Sequence, residues 1–255
     1  MDIRVLAPAE VAAAGARWVR DALAASRRRD ATLMAALGAT ALPIYAALAD
    51  GRRAGAVDTS RLRLVQLDEY AGIAADDPRT LAGWLRRDVA GPLGIPDRRI
   101  IRLDGADRDA ASAARRYDDA VAAAGGVDAA VLGLGPNGHL GFNEPPSGPD
   151  APTRWVALSA ASLESNARYW PGLGSPPAAL TAGMGTILAA RRVLLVVTGV
   201  RKRDILRATV DGPITPDVPA SLLRRHGALT LLADTDAWPG QMPGTHVTLA
   251  GAADG

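Results

Sequence analysis

Cysteine is absent from the 255 residues of this sequence. Its absence excludes disulfide bonds, thiolate metal ligands and a cysteine nucleophile, and it is consistent with a reducing compartment. Long apolar runs are also missing, since no stretch of about 18 uncharged apolar residues occurs, which argues against a membrane span. The N-terminal residues MDIRVLAPAE include acidic side chains and no long apolar core, so they do not match a signal peptide. We therefore expect a cytoplasmic protein without a membrane partner.

Lysine is nearly absent. Lys202 is the only lysine among 29 basic residues, and the others are arginine. A coding bias with one chance survivor explains this as well as a functional need does. The functional alternative is a position that requires a compact ammonium group, as some phosphate sites do. The arginines are scattered and the formal net charge is only +2, so the sequence does not favour nucleic-acid binding.

Short β-rich runs alternate with longer alanine-rich segments of helical period. Alternating strands and helices predict an α/β protein with right-handed β-α-β units, in a three-layer αβα, Rossmann-like fold. The predicted sheet is mostly parallel, with helices on both faces. No linker divides the sequence, so we predict a single domain over residues 1–255, with a weakly patterned, mobile tail after Trp238. Strands are predicted at residues 3–7, 32–38, 62–67, 100–103, 128–135, 193–199 and 228–234, and helices at 10–25, 44–48, 81–89, 108–124 and from 201.

Ligands of such sheets bind in the crevice beyond the carboxyl ends of the strands. The polar residues that directly follow predicted strands are therefore the candidates for a functional site. Four segments qualify, at residues 38–40, 68–70, 137–144 and 198–202.

The segment GLGPNGHLGFNEPPS, residues 133–147, carries the strongest local signal. Its glycines permit positive φ angles and close approach of backbone to a ligand. His139 can transfer a proton near neutral pH, and Glu144 can orient it by accepting a hydrogen bond. The alternative is a tight turn with a hydrogen-bonded structural histidine. The density of polar groups at a strand end favours a functional site.

The segment VQLDEY, residues 65–70, ends an apolar strand with two carboxylates. Adjacent strand residues point to opposite faces, so at most one of Asp68 and Glu69 is expected to face the crevice. A partly desolvated carboxylate there is a candidate general base. The alternative, a solvated loop carboxylate or a helix cap, fits a single aspartate at least as well.

Two turns between a strand and a helix are candidates for binding an anion. Gly38, Ala39 and Thr40 offer backbone N–H groups and a hydroxyl. Lys202 stands at the first turn of a later helix, where an anion is also favoured. Many strand-to-helix turns share these features, so each signal is weak by itself.

Five ordered blocks give the sequence a resemblance to glucosamine-6-phosphate deaminases, a branch of the superfamily that also contains 6-phosphogluconolactonases. The resemblance extends from about Ile3 to about Asp234. The block containing NEP is typical of the deaminase branch and lacks a counterpart in the lactonases. The blocks are LDEY at 67–70, GHLGFNEP at 138–145, SNARY at 165–169, ALTAGMGTILAAR at 179–191 and VTGVRK at 197–202.

The resemblance implies an enzyme that isomerises an aldose phosphate bearing an amino group to the ketose phosphate and releases ammonia, without a metal or other cofactor. Asp68 matches the carboxylate that moves a proton between carbons 2 and 1 of the open-chain sugar. His139 matches the histidine that opens the sugar ring, with Glu144 as its partner. Asn137 lies where some members have an aspartate that assists this histidine. Residues matching phosphate ligands are Thr40, Arg168 and Lys202, with Gly38 and Ala39 in the same loop as Thr40.

The sequence also departs from the family pattern. The first phosphate loop usually reads Ser/Thr-Gly-Gly-Thr-Pro, whereas this chain has Leu37-Gly38-Ala39-Thr40-Ala41. Activated members carry a lysine where Val156 stands, so activation by an acetylated sugar phosphate is not expected. The altered loop is also compatible with an enzyme that acts on a related or differently phosphorylated amino sugar. A lactone hydrolase and a non-catalytic sugar-phosphate sensor are further alternatives, and the family's several oligomeric states leave a homo-oligomer open.

Overall fold

The computed structural model describes residues 1–74, 76–240 and 247–249. An eight-stranded sheet forms its centre, with strand order β11-β1-β10-β9-β6-β2-β3-β5 and parallel pairing throughout. Its strands are β1 (Asp2–Leu6), β2 (Ala31–Ala35), β3 (Leu62–Gln66), β5 (Ile100–Ile101), β6 (Ala129–Gly133), β9 (Arg192–Val197), β10 (Leu229–Asp234) and β11 (Val247–Leu249). A second, antiparallel sheet, ordered β4-β8-β7, contains β4 (Asp68–Tyr70), β7 (Arg154–Ala157) and β8 (Ala178–Thr181).

Helices surround the central sheet, so the predicted fold class is confirmed. The strands β6, β9 and β10 are nearly continuous apolar runs because both of their faces are covered. The helices are α1 (Val11–Ala24), α2 (Leu42–Arg53), α3 (Leu81–Trp84), α4 (Ala110–Ala123), α5 (Ala160–Asn166), α6 (Met184–Leu188) and α7 (Arg203–Val210). A π-helical turn, Leu85–Ala90, continues α3, and a 3₁₀ turn, Val200–Lys202, precedes α7. None of the helices in this described part combines the length and hydropathy that a bilayer crossing requires.

All seven predicted strands are present, but the region between residues 136 and 192 is more regular than the sequence pattern indicated. The strands β4, β7 and β8 were not predicted, because antiparallel strands of three or four residues give almost no periodicity. Strand β11 was not predicted either; it lies in the tail that was predicted to be mobile, and it pairs with β1. The rest of that tail after residue 240 lies outside the described residues.

The topology places a crevice between β2 and β6, which are neighbours in the central sheet. From β2 the sheet grows outward through β3 to β5, and the chain then returns to β6 on the other side of β2. From β6 it grows in the opposite direction through β9 and β10. A reversal of this kind separates the loops that leave β2 and β6, which is where ligands of open α/β sheets bind.

Candidate active site

A cavity lies at this reversal point, beyond the carboxyl ends of β2, β3 and β6. Asp68 and His139 both face it. Its walls also include the loop after β2, the end of α5 with the turn that follows, and a lysine beside α7. All nine predicted site residues belong to the cavity or to the hydrogen-bond network behind His139: Gly38, Ala39, Thr40, Asp68, Asn137, His139, Glu144, Arg168 and Lys202. Arg168 lines the cavity from the turn after α5.

The carboxyl group of Asp68 is buried and has no hydrogen-bond partner among the described residues. Asp68 is 8% exposed and begins β4, separated from the end of β3 by Leu67. Within the described ranges, its carboxyl oxygens make no hydrogen bond or ion pair. Burial raises the pKa of Asp68 to about 7, and the negative charge of neighbouring Glu69 acts in the same direction. A carboxyl group in this state can accept or release a proton near neutral pH.

Glu69 has a different environment because adjacent strand residues point to opposite sides. Its carboxylate accepts hydrogen bonds from the backbone N–H groups of Leu81 at 2.9 Å and Ala82 at 2.7 Å. It therefore caps the N-terminus of α3, where unpaired N–H groups and the helix dipole favour a negative charge. It also accepts from Gln66 Nε2 at 2.9 Å. Of the two carboxylates, Asp68 faces the candidate site and Glu69 holds a helix in place.

His139 is positioned by the glycine-rich loop after β6. Its ring lies directly against Gly135, where an added Cβ atom would come within 2.2 Å of Nε2. Gly135 is therefore required by the close approach of the ring. The His139 side chain is 12% exposed, and its Nδ1 lies 3.5 Å from Glu144 Oε2.

Glu144 holds the histidine from behind, and Asn137 holds Glu144. Asn137 Nδ2 donates to Glu144 Oε2 at 2.7 Å, whereas Asn137 touches His139 only through the backbone N–H of that residue, at 3.3 Å. Burial alone would raise the pKa of Glu144, but hydrogen bonds with His139, Ser162 and Asn137 and the charge of His139 outweigh it and lower the pKa to about 2. Glu144 is thus an anion over the whole physiological pH range.

Two serines complete this network and were not found by sequence analysis. Ser159 caps the N-terminus of α5, and its Oγ also accepts from Asn137 Nδ2 at 3.3 Å. Ser162 Oγ lies 3.2 Å from His139 Nδ1 and donates to Glu144 Oε1. The only signal in the sequence is a serine ahead of an alanine-rich stretch, which indicates the start of a helix. It does not indicate which residues the serine side chain contacts.

Two cationic side chains, Lys202 and Arg168, also line the cavity. Lys202 is half-buried, and burial, followed by the charges of Arg168 and Arg201, lowers its pKa. In the part of the chain that the structure describes, no carboxylate lies within 4 Å of Lys202 or Arg168. Two cations that face one cavity without a counter-ion form a site that favours an anionic ligand.

The loop after β2 provides neutral donors beside these cations. Thr40 Oγ1 pairs with Thr198 Oγ1 at 3.0 Å, which joins the ends of β2 and β9. An added Cβ atom at Gly38 would meet no protein atom within 4 Å, so open space adjoins its backbone. The three departures from the family loop, Leu37, Ala39 and Ala41, all line the cavity. Leu37 is nearly buried there, so an apolar side chain stands where the family pattern has a hydroxyl.

Aromatic side chains form a further wall that sequence analysis did not identify. Trp84, at the end of α3, packs edge-on against Tyr169 with ring centroids 4.8 Å apart. Both residues line the cavity, together with Tyr70 and Phe142. Aromatic faces of this kind suit the C–H faces of a sugar ring. No group of three or more histidine and carboxylate side chains in the described residues could hold a metal ion.

A family model described as glucosamine-6-phosphate isomerases/6-phosphogluconolactonase matches residues 7–231. The chain belongs to this family. The relatives in it include a glucosamine-6-phosphate deaminase of Streptomyces avermitilis, 43% identical over 230 residues, which are 89% of this chain and 88% of the relative. Glucosamine-6-phosphate deaminase 2 of Bacillus subtilis is 34% identical, and the match covers 82% of this chain and 86% of the relative. The resemblance inferred from the sequence is therefore confirmed.

Solved structures agree with this family assignment. A monomeric glucosamine-6-phosphate deaminase superposes with a TM-score of 0.88 at 33% identity, over 93% of this chain and 98% of that chain. A 6-phosphogluconolactonase of Thermotoga maritima superposes with a TM-score of 0.73 at 17% identity, over 92% and 99%. At that lower identity the lactonase shares the fold.

Proposed function

We propose that this protein converts glucosamine 6-phosphate to fructose 6-phosphate and ammonia. The observation that carries the proposal is that a buried, unpaired carboxyl group at Asp68 and the imidazole of His139 face one cavity, which also presents Lys202 and Arg168. Proton-transfer groups and an anion site in one cavity suit a phosphorylated sugar. The relatives named glucosamine-6-phosphate deaminase support the choice of substrate. A cytoplasmic location, consistent with the absence of cysteine, is part of the proposal.

The phosphate group would be held at the cationic part of the cavity. Lys202 and Arg168 supply positive charge, and Thr40 with the backbone of Gly38 supplies neutral donors. Binding of this remote group keeps the reacting carbons in register with the proton-transfer groups, so that binding energy is used to orient the substrate.

His139 would open the sugar ring. The imidazole takes the proton of the anomeric hydroxyl and returns a proton to the ring oxygen as the C1–O5 bond breaks, which yields the open-chain aldehyde. Glu144 stabilises the imidazolium that forms in this step by its negative charge.

Asp68 would carry out the isomerisation. The aldehyde acidifies the hydrogen on carbon 2, and the ionised carboxyl group removes it to give an enolamine. Return of the proton to carbon 1 gives an imine at carbon 2, which one water molecule hydrolyses to the ketose and ammonia. The net reaction consumes water, so we propose a hydrolytic deamination as well as an isomerisation. A pKa near 7 suits a group that must first accept and then release the same proton.

The altered loop favours one alternative substrate class. Leu37 and Ala39 remove a hydroxyl and add a methyl group where the family pattern has small, hydrogen-bonding residues. An amino sugar that carries its phosphate at a different position would make different contacts with this loop. Comparing substrates that differ in the phosphate and in the sugar distinguishes glucosamine 6-phosphate from a related or differently phosphorylated amino sugar as the substrate.

The test is ammonia release from glucosamine 6-phosphate, with galactosamine 6-phosphate and unphosphorylated glucosamine as comparisons and Asp68→Asn as the control variant. Turnover of glucosamine 6-phosphate that is lost in Asp68→Asn is the expected result. Hydrolysis of 6-phosphogluconolactone in place of deamination would identify a lactonase. Binding of the sugar phosphate without turnover, unchanged in Asp68→Asn, would identify a sensor.

A further inference from the structure

The helix α5 buries a serine where a surface helix normally buries apolar residues. An amphipathic helix is held to its protein by an apolar stripe. In α5 the buried residue is Ser162, which is 1% exposed. Its burial therefore depends on hydrogen bonds, because a buried hydroxyl without a partner is costly.

The hydroxyl of Ser162 uses its full capacity for hydrogen bonds. A serine hydroxyl has one proton to donate and two lone pairs to accept. Ser162 Oγ donates to Glu144 Oε1, and it accepts from Ser159 Oγ at 3.2 Å. Ser159 cannot take the Ser162 proton instead, because its own oxygen already accepts from Ser162 N at 3.2 Å and from Asn137 Nδ2 at 3.3 Å. One lone pair of Ser162 then remains, and His139 Nδ1 lies 3.2 Å from the oxygen.

The protonation of the imidazole follows from this inventory. Glu144 is a carboxylate that can only accept, and its Oε2 lies 3.5 Å from the same Nδ1. Nδ1 thus faces two acceptors, Ser162 Oγ and Glu144 Oε2. A lone pair on Nδ1 would repel both of them, whereas an N–H group satisfies them. In the neutral imidazole the lone pair then lies on Nε2, the atom beside cavity-lining Gly135.

We infer that Ser162 is a positioning residue that, together with Glu144, fixes the Nδ1–H tautomer and the ring orientation of His139. The tautomer rests on the hydrogen bonds alone, whereas the effect on turnover rests also on the proposed function. Only this tautomer presents a proton-accepting nitrogen to a sugar hydroxyl in the cavity. The arrangement resembles in principle a serine protease triad, where the residue behind the histidine selects its tautomer.

The tautomer can be measured without substrate. In protein labelled with ¹⁵N-histidine, the nitrogen shifts and the couplings to the ring protons distinguish the two neutral tautomers, and His139→Gln identifies the signals by their loss. We expect the neutral form of His139 to carry its proton on Nδ1, and Ser162→Ala to move its signals toward a mixture of forms. An Nε2–H form in the wild-type protein overturns the inference.

Variants test the effect on catalysis. Ser162→Ala should lower kcat roughly tenfold to a hundredfold, as part of the 10²–10⁴-fold that positioned proton transfer contributes, with KM changed less than about threefold. Ser162→Thr keeps the hydroxyl and should restore both kcat and the NMR signature. Glu164→Gly is the matched control, since Glu164 is an exposed residue of α5 and a glycine there weakens the helix while leaving the Ser162–His139 contact in place. A loss of kcat in Glu164→Gly equal to that in Ser162→Ala would assign the effect to the helix and refute positioning.

The two proposals can fail separately. A protein that shows the Nδ1–H form but releases no ammonia from any amino-sugar phosphate refutes the proposed function and leaves the tautomer inference standing. An active deaminase whose His139 is in the Nε2–H form refutes the tautomer inference and leaves the proposed function standing.

Discussion

Replacing Asp68 by asparagine should make the protein more stable and much less active. The side chain keeps its size, but the buried ionisable group is removed. Each factor of ten in a protonation equilibrium corresponds to about 1.4 kcal/mol. A rise of the Asp68 pKa from 3.8 to about 7 therefore destabilises the folded state by an amount on the order of 4 kcal/mol at pH 8, where the group is ionised.

The sign of this effect determines its pH dependence. Between about pH 4 and pH 7 the unfolded chain has lost the Asp68 proton and the folded protein still holds it, so the free energy of unfolding falls as pH rises. Asp68→Asn lacks this pH-dependent contribution to the free energy of unfolding. Its advantage over wild type should be largest above pH 7, shrink toward pH 4 and vanish below it, where the carboxyl group is protonated in both states.

Urea unfolding followed by tryptophan fluorescence at pH 4, 6 and 8 measures this difference. Asp150→Asn is the matched control, because Asp150 is exposed and makes no ion pair within the described residues. The same Asp68→Asn preparation should lose roughly 10²–10⁴-fold in kcat. A stability difference between wild type and Asp68→Asn that is the same at all three pH values would refute the argument that burial perturbs this carboxyl group.

Four further predictions follow from the site. In wild type, kcat/KM for glucosamine 6-phosphate should rise with pH as Asp68 ionises, reach half its maximum near pH 7 and level off about one pH unit higher; a flat profile from pH 5 to 8 would contradict this. Glu69→Gln should lower the free energy of unfolding by about 1–3 kcal/mol, measured in urea, because it weakens the cap of α3, and should move the acidic limb of the rate profile to lower pH by removing a neighbouring charge. Lys202→Ala should raise KM for the phosphorylated substrate roughly tenfold to a hundredfold and leave kcat/KM for unphosphorylated glucosamine unchanged, with Lys202→Arg intermediate. Restoring the family loop with Leu37→Ser and Ala39→Gly should lower KM for glucosamine 6-phosphate by up to about tenfold, whereas a higher KM would show that the loop is adapted to another ligand.

The sequence by itself determined seven of the eight central strands and the region of the site. Strands covered on both faces, such as β6, β9 and β10, are apolar over most of their length, so they were visible without any knowledge of their neighbours. The rule that ligands bind beyond the carboxyl ends of parallel strands then selected Asp68, His139 and Lys202 from the polar residues of the chain. The single-domain organisation and the roles of these residues remain predictions.

The tertiary structure decided which neighbour each side chain meets. Asp68 and Glu69 are adjacent carboxylates, and only the packing of α3 onto β4 makes one a satisfied helix cap and leaves the other buried without a partner. Ser162 is 23 residues from His139 in the chain, and β7, the short strand that lies between them in the sequence, was not visible as a periodic pattern. Local sequence patterns indicate whether a residue is buried, because burial restricts the polarity of the side chain at each position separately. Hydrogen-bond partners and pKa values depend on contacts between distant segments, and these exist only once the chain has folded.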